Sequence, residues 1–191
     1  MLENLKEFAK QNNVPISKDD TMEFIIKTIN ENNFKQILEI GTAIGFGSIN
    51  MAKNTNCFHI DTVEIDEKTY IIAKENVIQN KVDDKVTLHN IDAKIYIENC
   101  DKKYDFIYLD GPKGQYINYL PQLLNLLNEK GIIIADNIFF HGMVTNEIET
   151  PPSCRSMIKG LHNFVDFITT NENLNSHIYN IGDGVALIKK K

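Results

Sequence analysis

No tryptophan occurs among the 191 residues of this chain, and cysteine is too sparse, at three, to build a disulfide framework. Cys57, Cys100 and Cys154 follow no metal-binding or redox spacing, which fits a reducing cytoplasm. Proline is limited to five residues and glycine to ten, and no repeat or low-complexity tract is present, so collagen-like and linker-rich classes are excluded. No apolar run approaches the length of a membrane span. The stretch Met1–Asn13 is amphipathic and mixed in charge, without the basic start and apolar core of a secretory signal. Basic charge is scarce as well. Twenty Lys and Arg against 26 Asp and Glu leave a net charge of −6, which argues against a broad face that coats nucleic acid. Lys102–Lys103 and the terminal Lys189–Lys191 remain as small basic clusters, of a size that is ordinarily solvated surface.

What is present is an ordinary globular composition, 42% apolar and 24% charged, at a length that suits one domain with a core. Leu2, Leu5, Phe8 and Ala9 share one helical face. After a break at Val14–Pro15, Met22, Ile25, Ile26 and Ile29 form a second stripe, with Ser17, Asp19 and Asp20 suited to its N-terminus. From there strands and helices alternate. Strands are expected at Gln36–Ile40, Phe58–Glu64, Val86–Asn90, Tyr104–Asp110 and Gly131–Asp136. Helices are expected near Ser48–Asn54, over Glu67–Asn80, Ala93–Asn99 and Tyr116–Leu127, and around Ser156–Thr169. Two last strands, His177–Ile181 and Gly184–Lys189, lie too close for a helical crossover and read as a hairpin. The pattern predicts an α/β fold: an open, mostly parallel sheet with helices on both faces and a hairpin at one edge. Ligands of such sheets bind at the carboxyl ends of the strands.

Those strand ends carry the polar residues. The first runs into Glu39-Ile40-Gly41-Thr42-Ala43-Ile44-Gly45-Phe46-Gly47, a spacing unlike the Gly-x-Gly-x-x-Gly of a pyrophosphate loop; a strand–helix turn that simply needs glycine reads equally well. The second ends at Glu64, placed to accept from ribose hydroxyls, and the third is followed by Asp92-Ala93, which could border an adenine. Either acid could instead only cap the next helix. Together, on three successive strands, they favour a nucleoside ligand. The fourth and fifth strands end in Asp110 and in Asp136-Asn137, hard oxygens suited to Mg²⁺ if the strands are neighbours. Lys113 follows on the loop after Asp110. An ammonium beside a divalent ion can lose its proton more easily and act as a base, although a loop lysine is most often a solvated charge.

In combination, LEIGTAIGFGS, the strand end at Glu64, LDGPKGQY and ADNIFFHG resemble the metal-dependent O-methyltransferases of the catechol and caffeoyl-CoA type, which use S-adenosylmethionine. The resemblance spans essentially the whole chain. KGQY, the VPIS segment and the final GDGVAL are most similar to the bacterial branch that methylates 5-hydroxyuridine at the tRNA wobble position. It implies a Rossmann-like S-adenosylmethionine methyltransferase fold with a seven-stranded sheet, a single domain over residues 1–191, and N-terminal helices within 1–33 that cover the site. It also implies cofactor contacts from Ser17, Glu39, Gly41, Gly45, Gly47, Ser48, Glu64, Asp92, Ala93 and Asp110. Asp110, Asp136 and Asn137 would hold Mg²⁺ or another divalent cation, and Lys113 would be the general base. Gly47 departs from the family pattern, which has a serine there that touches the cofactor carboxylate; Ser48 or the Gly47 amide would replace it. Gly111-Pro112 replaces the usual Ala-Ala, and His141 a common lysine. The expected partner is a tRNA anticodon loop or a small catechol-like molecule, met by a cytoplasmic homodimer. A dinucleotide-dependent oxidoreductase and a non-catalytic binding module are the readings of other classes; the glycine spacing and the Asp110, Asp136 and Asn137 set speak against the first.

Overall fold

The fold, a computed structural model, is described for residues 2–191; Met1, the first residue of the expected domain, lies outside the described residues. Two helices, α1 (Leu2–Gln11) and α2 (Asp19–Asn32), precede an alternating series. This runs β1 (Gln36–Ile40), α3 (Phe46–Asn54), β2 (His59–Glu64), α4 (Glu67–Gln79), β3 (Val86–Asn90), α5 (Ala93–Asn99) and β4 (Tyr104–Leu109). It continues with α6 (Tyr116–Leu126), β5 (Leu127–Ala135), α7 (Arg155–Thr170), β6 (Leu174–Tyr179) and β7 (Val185–Lys190). Short polar residues set the helix starts. Asp66 accepts from the Thr69 amide at α4, and Asp92 from the amides of Lys94 and Ile95 at α5.

The seven strands lie in the order β3-β2-β1-β4-β5-β7-β6. Strands β1 to β5 pair in parallel, and β7 runs antiparallel to both of its neighbours, β5 and β6. Alternation along each strand divides the core. Phe106 and Tyr108 of β4 join α1 to α4 on one face, whereas Ile107 and Leu109 join α5 to α7 on the other. The expected α/β sheet with its C-terminal hairpin is therefore the observed one.

Two strands begin three or four residues before their expected starts, whereas the other strand bounds move by two residues or fewer. β5 begins at Leu127 instead of Gly131, because Leu127 pairs with Tyr104 before a register shift realigns Ile132 with Phe106. At that irregularity Gly131 has no room for a side chain: a Cβ would sit 2.7 Å from Leu127 Cδ1 and 2.9 Å from the Asp105 carbonyl. β6 begins at Leu174, since β7 offers it partners from Lys190 back to Val185. From β1 the chain winds outward through β2 to β3, and the crossover after β3 returns it to the other side of β1 at β4. This opens a crevice above the carboxyl ends of those strands, where ligands of such sheets sit.

Candidate active site

A cavity of about 970 Å³ occupies this crevice. Of the residues singled out in the sequence, Ser17, Gly41, Glu64 and Asp92 reach its wall, as do Ala93, Asp110, Lys113 and Asn137. Ser17 arrives with the Pro15–Lys18 segment that joins α1 to α2. Gly41 is required by the turn: its φ is +100°, and a Cβ would lie 2.5 Å from the Asp110 carbonyl. That proximity is what brings the ends of β1 and β4 together.

At the β2 and β3 side, the Glu64 carboxylate is oriented by two backbone amides. Ala43 N–H donates to Oε2 and Asp66 N–H to Oε1, each at 2.9 Å. Asp92 lines the cavity while its Oδ1 caps α5, so the helix-cap reading and the cavity position hold at once.

Glu39, Gly45, Gly47 and Ser48 stand behind the wall, and none lines the cavity. Glu39 is buried, and its Oε2 accepts from Ser48 Oγ at 2.5 Å and from Thr62 Oγ1 at 2.6 Å. Burial pushes the Glu39 carboxyl up to about 7, against the two hydrogen bonds and aided by the nearby Asp110 and Glu64. Gly47 is explained by this neighbour, since a Cβ at that position would overlap Glu39 Oε1. A serine there, as in the family pattern, would require the Glu39 carboxylate to shift, and the Ser48 hydroxyl is committed to Glu39 instead of the cavity.

The β4 and β5 side is acidic. Asp136 is also behind the wall, 1% exposed, with the Asn137 amide donating to Oδ1 at 2.7 Å. Burial first, and then the charge of Asp110, raise its carboxyl above the ordinary range. Tyr108 reaches between these acids. Its hydroxyl donates to Asp136 Oδ2 at 2.9 Å, lies 3.3 Å from Asp110 Oδ2, and pairs with Ser17 Oγ at 2.8 Å. Burial and the two flanking carboxylates hold this phenol well above its usual range, so it remains a proton donor. Lys113 donates to Asp110 Oδ1 at 2.5 Å and to Tyr116 OH at 2.9 Å; Tyr116 in turn donates to the Leu109 carbonyl at 2.9 Å. Burial lowers the Lys113 ammonium, but the charges and hydrogen bonds of Tyr116 and Asp110 outweigh it and leave the group above the ordinary lysine range.

Among the described residues, no group of three His, Cys, Asp or Glu side chains is close enough to hold a metal ion. The expected donor set contains only two carboxylates, its third member being the Asn137 amide. Two carboxylates drawn together around one neutral hydroxyl, with Lys113 the one cation paired to them and Asp136 still raised, keep a net negative charge that fits a hard divalent cation. Sequence reading missed Tyr108 and Tyr116. Period-two alternation offered a signal for Tyr108, because residue 108 shares a strand face with residue 110. Nothing in the sequence pointed to Tyr116 beyond its membership of KGQY.

An O-methyltransferase family model matches residues 1–191. The chain belongs to this family. This O-methyltransferase is 33% identical to a Staphylococcus aureus protein of known structure, provisionally described as a caffeoyl-CoA O-methyltransferase. The match has a TM-score of 0.93 and covers 100% of this chain and 92% of that one. It is 28% identical over 193 residues to tapetum-specific methyltransferase 1 of Arabidopsis thaliana, spanning 98% of this chain and 80% of the relative. Catechol O-methyltransferase of Niastella koreensis is also 28% identical, over 163 residues that span 80% and 72% of the two chains. The protein is therefore an S-adenosylmethionine-dependent O-methyltransferase of the caffeoyl-CoA and catechol type, with the Rossmann-like fold of that class.

Proposed function

We propose that this enzyme moves the methyl group of S-adenosylmethionine to the 5-hydroxyl of 5-hydroxyuridine at the tRNA wobble position, with Mg²⁺ or a similar cation at Asp110, Asp136 and Asn137. The observation that carries the reading is the two-sided cavity. Glu64 and Asp92, suited to a nucleoside, lie at the ends of β2 and β3; Asp110 and Asn137 lie across the sheet at β4 and β5. Its volume of about 970 Å³ is at the top of the range for one small ligand, so cofactor and acceptor can share it.

Glu64 would accept from the ribose hydroxyls, with Asp92 and Ala93 beside the adenine. A divalent cation at the acidic side would lower the pKa of the acceptor's hydroxyl and orient it. Lys113 would take the hydroxyl proton, which requires that it first part from Asp110 and shed its own proton. The acceptor oxygen then bonds to the methyl carbon as the sulfur–carbon bond breaks, leaving S-adenosylhomocysteine. Alignment of the two reactants supplies most of the rate. Lys113→Ala is expected to slow a single turnover more than it weakens cofactor binding; an unchanged single-turnover rate removes Lys113 from the mechanism.

The tRNA acceptor is supported by the LDGPKGQY likeness and by the cations Lys18 and Lys113 on the wall, with Arg155 and Lys159 at the start of α7. An anticodon loop needs only such a local rim, because its bases are read splayed and stacked; a homodimer would extend it. The second reading, a small catechol-like acceptor, is favoured by the name of the Niastella relative and by the net charge of −6. Both acceptors offer two adjacent oxygens, one an ionisable hydroxyl. Labelled S-adenosylmethionine with Mg²⁺, tRNA bearing 5-hydroxyuridine and, in parallel, catechol separates them. Label recovered as 5-methoxyuridine well above the catechol rate upholds the tRNA reading, and label on catechol alone overturns it.

A further inference from the structure

We propose that Tyr108 is a positioning residue of this site: its hydroxyl holds the Asp136 carboxylate in the orientation that receives a divalent cation and pins Ser17 to that carboxylate. The inference rests on the cation reading above and is independent of which molecule accepts the methyl group.

The argument begins with the residue type. Tyr108 is 1% exposed, and it packs in the same layer as Phe106, Ile132 and Ile134. A phenylalanine would fill this place without a polar atom to satisfy, and a buried hydroxyl is costly unless it is bonded. The oxygen here is bonded on every side. Its single proton goes to the nearer carboxylate oxygen, Asp136 Oδ2 at 2.9 Å, in preference to Asp110 Oδ2 at 3.3 Å. Its lone pairs are then left for the Ser17 hydroxyl at 2.8 Å, giving a relay from Ser17 through Tyr108 to Asp136.

Each end of the relay depends on it. Apart from Tyr108, the only hydrogen bond to the Asp136 carboxylate among the described residues comes from the Asn137 amide on Oδ1, so without the phenol Oδ2 faces the like charge of Asp110 with no hydrogen bond of its own. Ser17 lies in the linker between α1 and α2, which forms part of the cavity wall and is also held by Lys18 Nζ donating to the Gly182 carbonyl at 2.9 Å and by Val14 and Ile16 packing on the core. Removing the phenol oxygen therefore frees a cation-binding carboxylate and loosens the wall above the cofactor, while leaving the ring's packing in place. Partners that orient ligating carboxylates commonly change metal affinity by about 10- to 100-fold when lost.

The experiment compares wild type, Tyr108→Phe and Ser17→Ala. Free Mn²⁺ is followed by electron paramagnetic resonance, S-adenosylhomocysteine binding by calorimetry, and folding by circular dichroism. Tyr108→Phe is expected to weaken Mn²⁺ about tenfold or more and S-adenosylhomocysteine about threefold, with its fold retained. Ser17→Ala is expected to weaken S-adenosylhomocysteine to a similar degree while holding Mn²⁺ within about twofold. A Tyr108→Phe protein that binds Mn²⁺ as wild type does overturns the positioning role. Unchanged cofactor affinity in Ser17→Ala overturns the pinning of Ser17, and does so whether or not the tyrosine variant folds. Wild-type protein that takes up no Mn²⁺ overturns the cation reading and this inference with it, whereas loss confined to Tyr108→Phe leaves that reading standing.

Discussion

Two buried aspartates on opposite faces of one sheet have opposite electrostatics. Asp61 of β2, on the side of α5, is fully buried and surrounded by donors from its own chain. His89 Nε2 lies at 2.7 Å, Lys102 Nζ at 2.8 Å and Tyr104 OH at 3.0 Å. Burial raises its carboxyl, but His89 and Lys102 more than reverse this and hold it well below the usual range. Asp136 is equally buried, yet its partners are a backbone amide and a phenol, and its charged neighbour Asp110 has the same sign. A carboxylate that serves the fold finds its counter-charge within the chain. Asp136, which the proposed function turns towards a cation, has less positive charge around it, since the nearby Lys113 is paired with Asp110.

Substitutions break the comparison most sharply where positive charge is scarcest. Asp110→Ala or Asp136→Ala should reduce methyl transfer by about a thousandfold or more, as should EDTA, because several kcal/mol of charge stabilisation is lost. Full activity in metal-free buffer would refute the cation role. Asp61→Asn should do the reverse. Breaking this network is expected to cost about 3 kcal/mol of stability in denaturant unfolding, while the turnover of the folded fraction stays within about twofold of wild type. Equal loss of turnover in both sets would erase the distinction.

The pH dependence sharpens it. The Glu39 carboxyl rises from 4.5 to about 7 on folding, so its contribution to stability is full below pH 4.5 and is lost as pH rises through 7. Asp61 has a depressed value, so its contribution is present above the ordinary aspartate pKa of 3.8 and is lost as pH falls below it. Glu39→Gln should flatten the stability profile between pH 4.5 and 7 and leave the acid limb intact; a profile unchanged in that window would show that Glu39 does not titrate there. The smallest effect is expected at Gly160 of α7, where a Cβ would lie 2.8 Å from the Gly114 carbonyl. Gly160→Ala should push on the Lys113–Gln115 turn at a cost of about 1 kcal/mol, slowing turnover without changing cofactor affinity, which calorimetry beside steady-state kinetics will separate.

Much of this was legible in the chain. β1 and β3 coincide with their expected bounds because short apolar runs between turn residues admit little else. Glu64, Asp92, Asp110 and Asn137 reach the cavity because each follows a strand, and strand ends in such sheets face the ligand. β5 and β6 were misjudged at their starts. Asn128, Glu129 and Lys130 are polar and fall outside the expected strand, and it is the partners on β4 and β7 that draw the strands out.

By itself, then, the sequence determined the alternating elements, the parallel sheet with its hairpin and the acids at its carboxyl edge. All of these follow from periodicity and local spacing. Tertiary structure alone decided that β7 would insert between β5 and β6, that Glu39 and Ser48 would satisfy each other behind the wall, and that Tyr108 would bridge Ser17 and Asp136. Those contacts join residues as many as 91 positions apart. Their geometry depends on strand order and on which atoms compete for a limited set of buried donors, and no local pattern encodes that competition.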